Sequence, residues 1–253
     1  MSKSNDMNSG ARCARVIFFH GYPGHSSDFI EIAEAIDGEC DVFEMPWVGL
    51  GSPYMSMAQI VAALDDDLGD DDVHLVGHDL GAVVAWRLAQ VTRRKVLSLT
   101  LMSVPRLDAY VEQFRRLDDG GYLEYQRQLI DHSIGAPLPA LELLVDAEKQ
   151  DPTTSQRLAS NRLMSSPTQI VGLYRDLHSS FNPKGETQTV PPLHMLFGNE
   201  DPYFPQSLLL DARSTSDEPV TVTAINSGGH WPHYTHGAEC MNAIISFIGA
   251  NHE

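Results

Sequence analysis

Residues 77–81 read Gly77-His78-Asp79-Leu80-Gly81, and they specify more of the architecture than any other segment of the chain. The apolar run Val73–Val76 precedes them directly, and Ala82–Ala89 follows with the composition of a buried helix. A strand, a Gly-x-nucleophile-x-Gly turn and a helix in this order make a sharp turn that presents its middle residue. That residue is strained, and the flanking glycines remove Cβ atoms that would clash. The pattern predicts a nucleophile at Asp79.

A carboxylate at this position restricts the chemistry. Attack on an ester carbonyl by a carboxylate would give only an anhydride. At an sp3 carbon a carboxylate attacks well, displaces a halide or opens an epoxide, and leaves an alkyl-enzyme ester. Asp79 therefore indicates an ester intermediate and argues against an ordinary esterase or peptidase.

Short apolar segments alternate with helical segments along most of the chain. Predicted strands cover residues 16–19, 41–45, 73–76, 96–102, 193–197 and 220–225, and predicted helices cover 28–36, 57–68, 80–91 and 238–248. This alternation is typical of a parallel sheet with helices on both faces. Only about fifteen residues precede the first strand. We therefore expect an α/β fold with about six strands, all or mostly parallel.

The alternation stops between the fourth and fifth predicted strands. Residues 104–189 lack buried-type strands and carry helical segments rich in Tyr, Arg and Leu. A segment of about 85 residues is too long for a single crossover connection. We predict that residues 1–103 and 190–253 form the core and that residues 104–189 form an inserted helical cap. The alternative is a set of ordinary crossover helices in an uninterrupted sheet.

Composition limits the classes of partner and the compartment. The 253 residues carry a net charge of −17, which argues against nucleic acid and anionic membrane surfaces as partners. No apolar run approaches the roughly 20 residues of a membrane span. Three cysteines without metal-type spacing and a polar N-terminus without leader character predict a cytoplasmic protein. A monomer and a homodimer are equally compatible with the sequence.

Five motifs, each at the end of a predicted strand, carry a resemblance to a known superfamily. They are His20-Gly21-Tyr22-Pro23-Gly24, Gly49-Leu50-Gly51-Ser52, Gly77-His78-Asp79-Leu80-Gly81, Gly198-Asn199-Glu200-Asp201-Pro202 and Gly228-Gly229-His230-Trp231-Pro232. On these residues the chain resembles the α/β-hydrolase superfamily, and within it the branch with an aspartate nucleophile. That branch comprises epoxide hydrolases and haloalkane or haloacetate dehalogenases. The resemblance covers nearly the whole chain outside the predicted cap.

The resemblance implies a catalytic triad and an oxyanion hole. Hydrolysis of the ester needs a base, and His230 lies in a Gly-Gly-His turn after the last predicted strand. Asp201 is the expected partner of His230, with Glu200 as its competitor and Asp108 as a displaced alternative. The backbone N–H groups of Tyr22 and Leu80 are expected to stabilise the oxyanion. We expect no metal site, because Pro232 interrupts the His-x-x-His-x-x-His spacing that begins at His230.

The substrate pocket is the least determined part of the prediction. The resemblance implies that His20, His78 and Trp231 line the pocket and that a cap tyrosine protonates an opened epoxide. Tyr174 and Tyr110 are the candidates for this acid, with Tyr122 and Tyr125 as further early-cap possibilities. Leu80 stands where haloalkane dehalogenases have tryptophan and haloacetate dehalogenases have arginine. We therefore expect an epoxide hydrolase of small apolar or amphipathic molecules that needs no cofactor. The alternatives are a dehalogenase, and a lyase or a ligand-binding protein with the same fold.

Overall fold

The architecture is described from a computed structural model, for residues 14–107, 124–145, 150–180, 190–207 and 220–251. The strands are β1 (Arg15–Phe19), β2 (Glu39–Phe43), β3 (Val73–His78), β4 (Val96–Met102), β5 (Leu193–Gly198) and β6 (Val220–Ile225). The helices in these ranges are α1 (Ile30–Glu34), α2 (Met57–Asp67), α3 (Leu80–Val91), α4 (Glu124–Asp131), α5 (Leu141–Leu144), α6 (Pro152–Met164), α7 (Pro167–Ser180), α8 (Pro232–Thr235) and α9 (Gly237–Ala250). A short 3₁₀ turn occupies Ser26–Asp28.

The six strands form one parallel sheet in the order β2-β1-β3-β4-β5-β6. Every residue of β3 and β5 is buried, as expected for central strands covered on both faces. The edge strands β2 and β6 are partly exposed. The predicted α/β architecture with about six parallel strands is therefore confirmed.

Two apolar layers cover the faces of the sheet. One contains side chains of α2 and α3 packed on alternate residues of β1, β3 and β4. The other contains side chains of α1 and α9, such as Ile32 and Ile244, packed on the opposite residues of the same strands. Within the described ranges, no helix has both the length and the apolar composition of a membrane span.

Two predicted elements differ from the observed ones near the sheet edge. The helix expected over residues 28–36 is divided into the 3₁₀ turn and α1, because the His25 side chain accepts a hydrogen bond from Ser27 N and Asp28 Oδ2 accepts one from His25 N. The strand expected over residues 41–45 is β2, which ends at Phe43. Its partner β1 ends at Phe19, which pairs with Phe43, so the ladder stops there.

Helices α4 to α7 lie between β4 and β5, and α7 and the junction between α6 and α7 contact the loop that follows β2. The Gln169 side chain accepts a hydrogen bond from Met55 N at 2.6 Å and donates one to Met55 O at 2.7 Å. An antiparallel bridge joins Val48 to Ser165, between α6 and α7. These contacts fix the α6–α7 pair to the loop after β2, while the division of the chain at residues 104 and 189 stays a prediction.

Candidate active site

Asp79 occupies the sharp turn between β3 and α3. Its backbone has φ 49° and ψ −121°, a conformation that L-residues rarely adopt. A Cβ on Gly77 would lie 2.5 Å from Ala82 Cα, and one on Gly81 would overlap the carbonyl oxygen of Phe19. The two glycines therefore let the turn pack against β1 and α3, and the strained residue between them is held by its surroundings.

The two oxygens of the Asp79 carboxylate have different environments. Oδ2 accepts a hydrogen bond from Tyr22 N at 3.0 Å. Oδ1 lies 3.6 Å from His230 Nε2. Leu80 is the first residue of α3, directly after Asp79, and the role of its N–H group stays a prediction. Asp79 is thus anchored through one oxygen while the other faces the imidazole.

His230 and Asp201 are brought together by the loops that follow β6 and β5. His230 Nδ1 lies 2.8 Å from Asp201 Oδ2. The second oxygen of Asp201 accepts hydrogen bonds from Tyr203 N at 2.8 Å and Phe204 N at 3.0 Å, which fix the carboxylate. The loops meet closely, because a Cβ on Gly198 would overlap the carbonyl oxygen of Gly228.

The charges of the three side chains are coupled. Burial alone would lower the pKa of His230, but the carboxylates of Asp201 and Asp79 outweigh it and raise this pKa to about 10. Burial alone would raise the pKa of Asp79, but the interaction with His230 and the Tyr22 amide lower it. At neutral pH the arrangement therefore holds an imidazolium between two carboxylates.

A narrow pocket opens onto Asp79 and His230. It contains about 290 Å³ of empty space, its mouth included. Five of its lining residues are tyrosine or tryptophan, and no lysine or arginine lines it within the described ranges. The lining residues are Tyr22, Pro23, Asp79, Tyr125, Leu144, Val145, Tyr174, Tyr203, His230 and Trp231. Helices α4, α5 and α7 thus contribute residues to the same pocket as the sheet.

Tyr174 and Trp231 are among the lining residues, whereas His20 and His78, which we expected to line the pocket, are not. His78 is buried behind His230, where its Nε2 donates to the carbonyl oxygen of His230 at 2.8 Å. Burial and the neighbouring His230 charge lower the pKa of His78 to about 3, so the ring is neutral. His20 is fully buried and contacts Glu44 and Met45 N through Nε2. Tyr110 lies outside the described residues, as do Asp108 and Tyr122.

The sequence analysis did not predict several of the residues that line the pocket. Tyr203 packs edge-on against the ring of His230, with the ring centroids 5.0 Å apart. Its position two residues after Asp201 was the available signal. Tyr125, one of several early-cap candidates, contacts both Tyr174 and Tyr203. Nothing in the sequence indicated that Leu144 and Val145 line the pocket, because their segment contains no motif.

Comparisons with solved structures identify the same fold. The epoxide hydrolase of Bacillus megaterium in complex with an inhibitor is similar over 93% of both chains, with a TM-score of 0.70 and 16% identity. MenH from S. aureus is similar over 97% of both chains, with a TM-score of 0.67 and 18% identity. An esterase from Thermogutta terrifontis is similar over 96% of this chain and 92% of its own, with a TM-score of 0.67 and 17% identity. Identities this low establish the fold alone.

Sequence comparisons place the chain in a family. A dihydrolipoyllysine-residue acetyltransferase component of an acetoin cleaving system from Cupriavidus necator is 30% identical over 102 residues. That match covers 37% of this chain and only 27% of the relative's length. The profile of the α/β hydrolase fold family matches residues 14–237, which is most of the chain. The chain therefore belongs to the α/β-hydrolase fold family.

Proposed function

We propose that the protein is an epoxide hydrolase that forms an alkyl-enzyme ester on Asp79. The observation that carries this proposal is the carboxylate at the strained turn, with Oδ2 held by the Tyr22 amide and Oδ1 beside His230. A carboxylate fixed in this way presents one oxygen to an electrophilic carbon in the pocket. The similarity of the fold to epoxide hydrolases agrees with this assignment.

In the first step, Oδ1 of Asp79 attacks an epoxide carbon, the carbon–oxygen bond of the ring breaks, and the ring oxygen becomes an alkoxide. The alkoxide requires a proton, and Tyr174 in the pocket wall is the proposed donor. Tyr110, which the sequence analysis also named, is a second candidate for this proton donor.

In the second step, water hydrolyses the ester. Esterification removes the charge of Asp79, which is one of the two charges that keep His230 protonated. The imidazolium gives its proton to the tyrosinate left by the acid of the first step, so His230 becomes neutral and acts as a base. It takes a proton from water, and the resulting hydroxide attacks the carbonyl carbon of the Asp79 ester. The bond between this carbon and Oδ1 then breaks, and the His230 imidazolium protonates the departing diol. Asp201 holds the imidazole in the required orientation. The N–H groups of Tyr22 and Leu80 stabilise the negative charge that develops on the carbonyl oxygen.

The remaining assignments follow from the same proposal. Residues 104–189 act as the cap that closes the pocket over a small apolar or amphipathic substrate, and aromatic walls around Asp79 support this role. The mechanism uses side chains and water, and it requires no cofactor or metal. We propose a cytoplasmic enzyme that acts as a monomer or homodimer and binds neither nucleic acid nor membranes.

A dehalogenase is the second candidate, and one observation favours it. The indole Nε1 of Trp231 is buried and has no hydrogen-bond partner among the described residues, although Trp231 lines the pocket. An indole N–H of this kind is a suitable donor to a departing halide. Leu80, in the position where haloalkane dehalogenases have tryptophan, argues against this alternative.

The deciding experiment is intact-mass analysis of the His230→Gln variant after incubation with panels of epoxides and alkyl halides. Without its base the enzyme should stall at the ester, so an adduct of the whole epoxide mass is expected. An alkyl adduct that lacks the halogen would instead identify a dehalogenase. The absence of any adduct on a folded variant would contradict the nucleophile assignment and favour a lyase or ligand-binding protein. Asp79→Asn in the same background is the control and should give no adduct.

A further inference from the structure

The side chain of Tyr22 has a feature that the role of its backbone does not explain. Tyr22 is 5% exposed, and its hydroxyl is buried without a hydrogen-bond partner in the described structure. A buried hydroxyl that lacks a partner is destabilising, so the great majority of such groups are paired. Tyr22 is one of the residues that line the pocket, together with Asp79 and His230. A polar atom of a molecule bound there would supply the partner that the hydroxyl lacks.

The surroundings of this hydroxyl suit a proton donor. Tyr174 packs edge-on against Tyr22, with the ring centroids 6.4 Å apart, and both residues line the pocket. Arg162 is held by hydrogen bonds from Nη1 to the carbonyl oxygens of Leu138 and Pro139, and its Nε is also buried without a partner. Burial and the Asp79 charge raise the pKa of Tyr22 while the Arg162 charge lowers it. Tyr22 is thus neutral before reaction, and Arg162 favours the phenolate that a proton transfer would leave.

We infer that the Tyr22 hydroxyl is a second catalytic donor to the substrate oxygen, beside Tyr174; this inference rests on the proposed epoxide hydrolase function. As the Asp79 Oδ1–carbon bond forms and the epoxide carbon–oxygen bond breaks, both phenols donate hydrogen bonds to the ring oxygen. One proton, from Tyr22 or from Tyr174, moves to this oxygen and yields a neutral hydroxyl. The phenolate that results takes a proton from the His230 imidazolium. His230 is left neutral, which is the form that it needs as the base of the second step.

The backbone and side-chain roles of Tyr22 are separable by mutation. Tyr22→Phe keeps the N–H that bonds Asp79 Oδ2 and keeps the ring, and it removes only the hydroxyl. The change is made in the His230→Gln background, and the rate of adduct formation with propylene oxide is followed by intact mass. We expect this rate to fall by about 100-fold, the lower end of the range for an acid catalyst, because Tyr174 remains. The melting temperature should stay the same or rise, because no hydrogen bond is lost.

Two comparisons separate proton donation from a packing effect. Trifluoromethyloxirane gives a less basic alkoxide that depends less on an acid, so Tyr22→Phe should slow its adduct formation much less than that of propylene oxide. Tyr54→Phe is the matched control, because Tyr54 is 41% exposed and lies outside the pocket lining. Equal rates in Tyr22→Phe and its parent, or an equal loss with both epoxides, would overturn the inference. Failure of the His230→Gln parent to form an adduct with any epoxide would instead overturn the proposed function.

Discussion

Replacing Asp79 by Asn should lower the pKa of His230, so that the ring binds its proton less tightly. The change keeps the size of the side chain and removes its charge, as esterification does. Oδ1 of Asp79 lies 3.6 Å from His230 Nε2. At this distance, two unit charges in a medium with an effective dielectric constant of about 20 attract each other by about 4–5 kcal/mol. The contact of His230 with Asp201 stays in place, so we expect the pKa of His230 to fall from about 10 toward the ordinary histidine range.

The assay is an NMR titration of isotope-labelled histidine side chains in both proteins. The amide dipole of Asn retains part of the attraction, so we expect proton binding to His230 to weaken by about a hundredfold to a thousandfold. His194 is the internal reference, because it lies on β5 and its burial lowers its pKa to about 4. Titration of His230 at the same pH in both proteins would refute the view that alkylation of Asp79 releases the base.

Three further substitutions test the packing and the orientation of the site. Gly198→Ala should destabilise the protein by about 3 kcal/mol or more in chemical denaturation, because the new Cβ would overlap the Gly228 carbonyl oxygen. Asp201→Asn should lower kcat by about a thousandfold or more in steady-state assays. The amide no longer orients the imidazole or stabilises its protonated form as the carboxylate does. Arg157→Leu should cost about 1–2 kcal/mol of stability, because it leaves the buried Asp28 without its cation while Tyr234 and His25 still donate to it.

Each of these expectations has its own check. Gly249→Ala meets no atom within 4 Å and should stabilise α9 by about 0.5–1 kcal/mol, so equal effects at Gly198 and Gly249 would contradict the packing argument. For Asp201→Asn, near-normal turnover would remove Asp201 from the triad. For Arg157→Leu, an unchanged denaturation midpoint would mean that the hydrogen bonds from Tyr234 and His25 alone stabilise the Asp28 carboxylate.

Local sequence predicted most elements of the fold, but it did not predict the bounds of the edge strand β2. The bounds of α3 and β4 agree with their predictions, because the turn at Asp79 fixes the start of α3 and buried residues run through most of β4. The bounds of β6 also agree, although it is a partly exposed edge strand. The predicted strand over residues 41–45 shifted, since an edge strand ends where its neighbour ends. Apolar patterning marks which residues are buried, and pairing partners decide where a strand stops.

For the candidate site, the sequence placed residues at strand ends without giving the direction of each side chain. Asp79, His230 and Asp201 converge because carboxyl ends of parallel strands share one edge of the sheet. His20 and His78 belong to the same motifs, yet their rings are buried behind the pocket, bonded to Glu44 and to the His230 carbonyl. Tyr203 reaches the pocket through the loop that positions Asp201. Such orientations depend on tertiary contacts that a motif does not encode.

The attachment of α6 and α7 to the loop after β2 bears on how this protein can be recombined with relatives. The Gln169 side chain pairs with both backbone groups of Met55, as a neighbouring strand would, and Ser165 pairs with Val48. A chimera that takes these helices from a relative and retains the native loop would leave the Met55 N–H and carbonyl without their hydrogen-bond partner. Residues 46–57 and residues 150–180 therefore form one exchange unit, and substrate preference is best transplanted by moving both segments together.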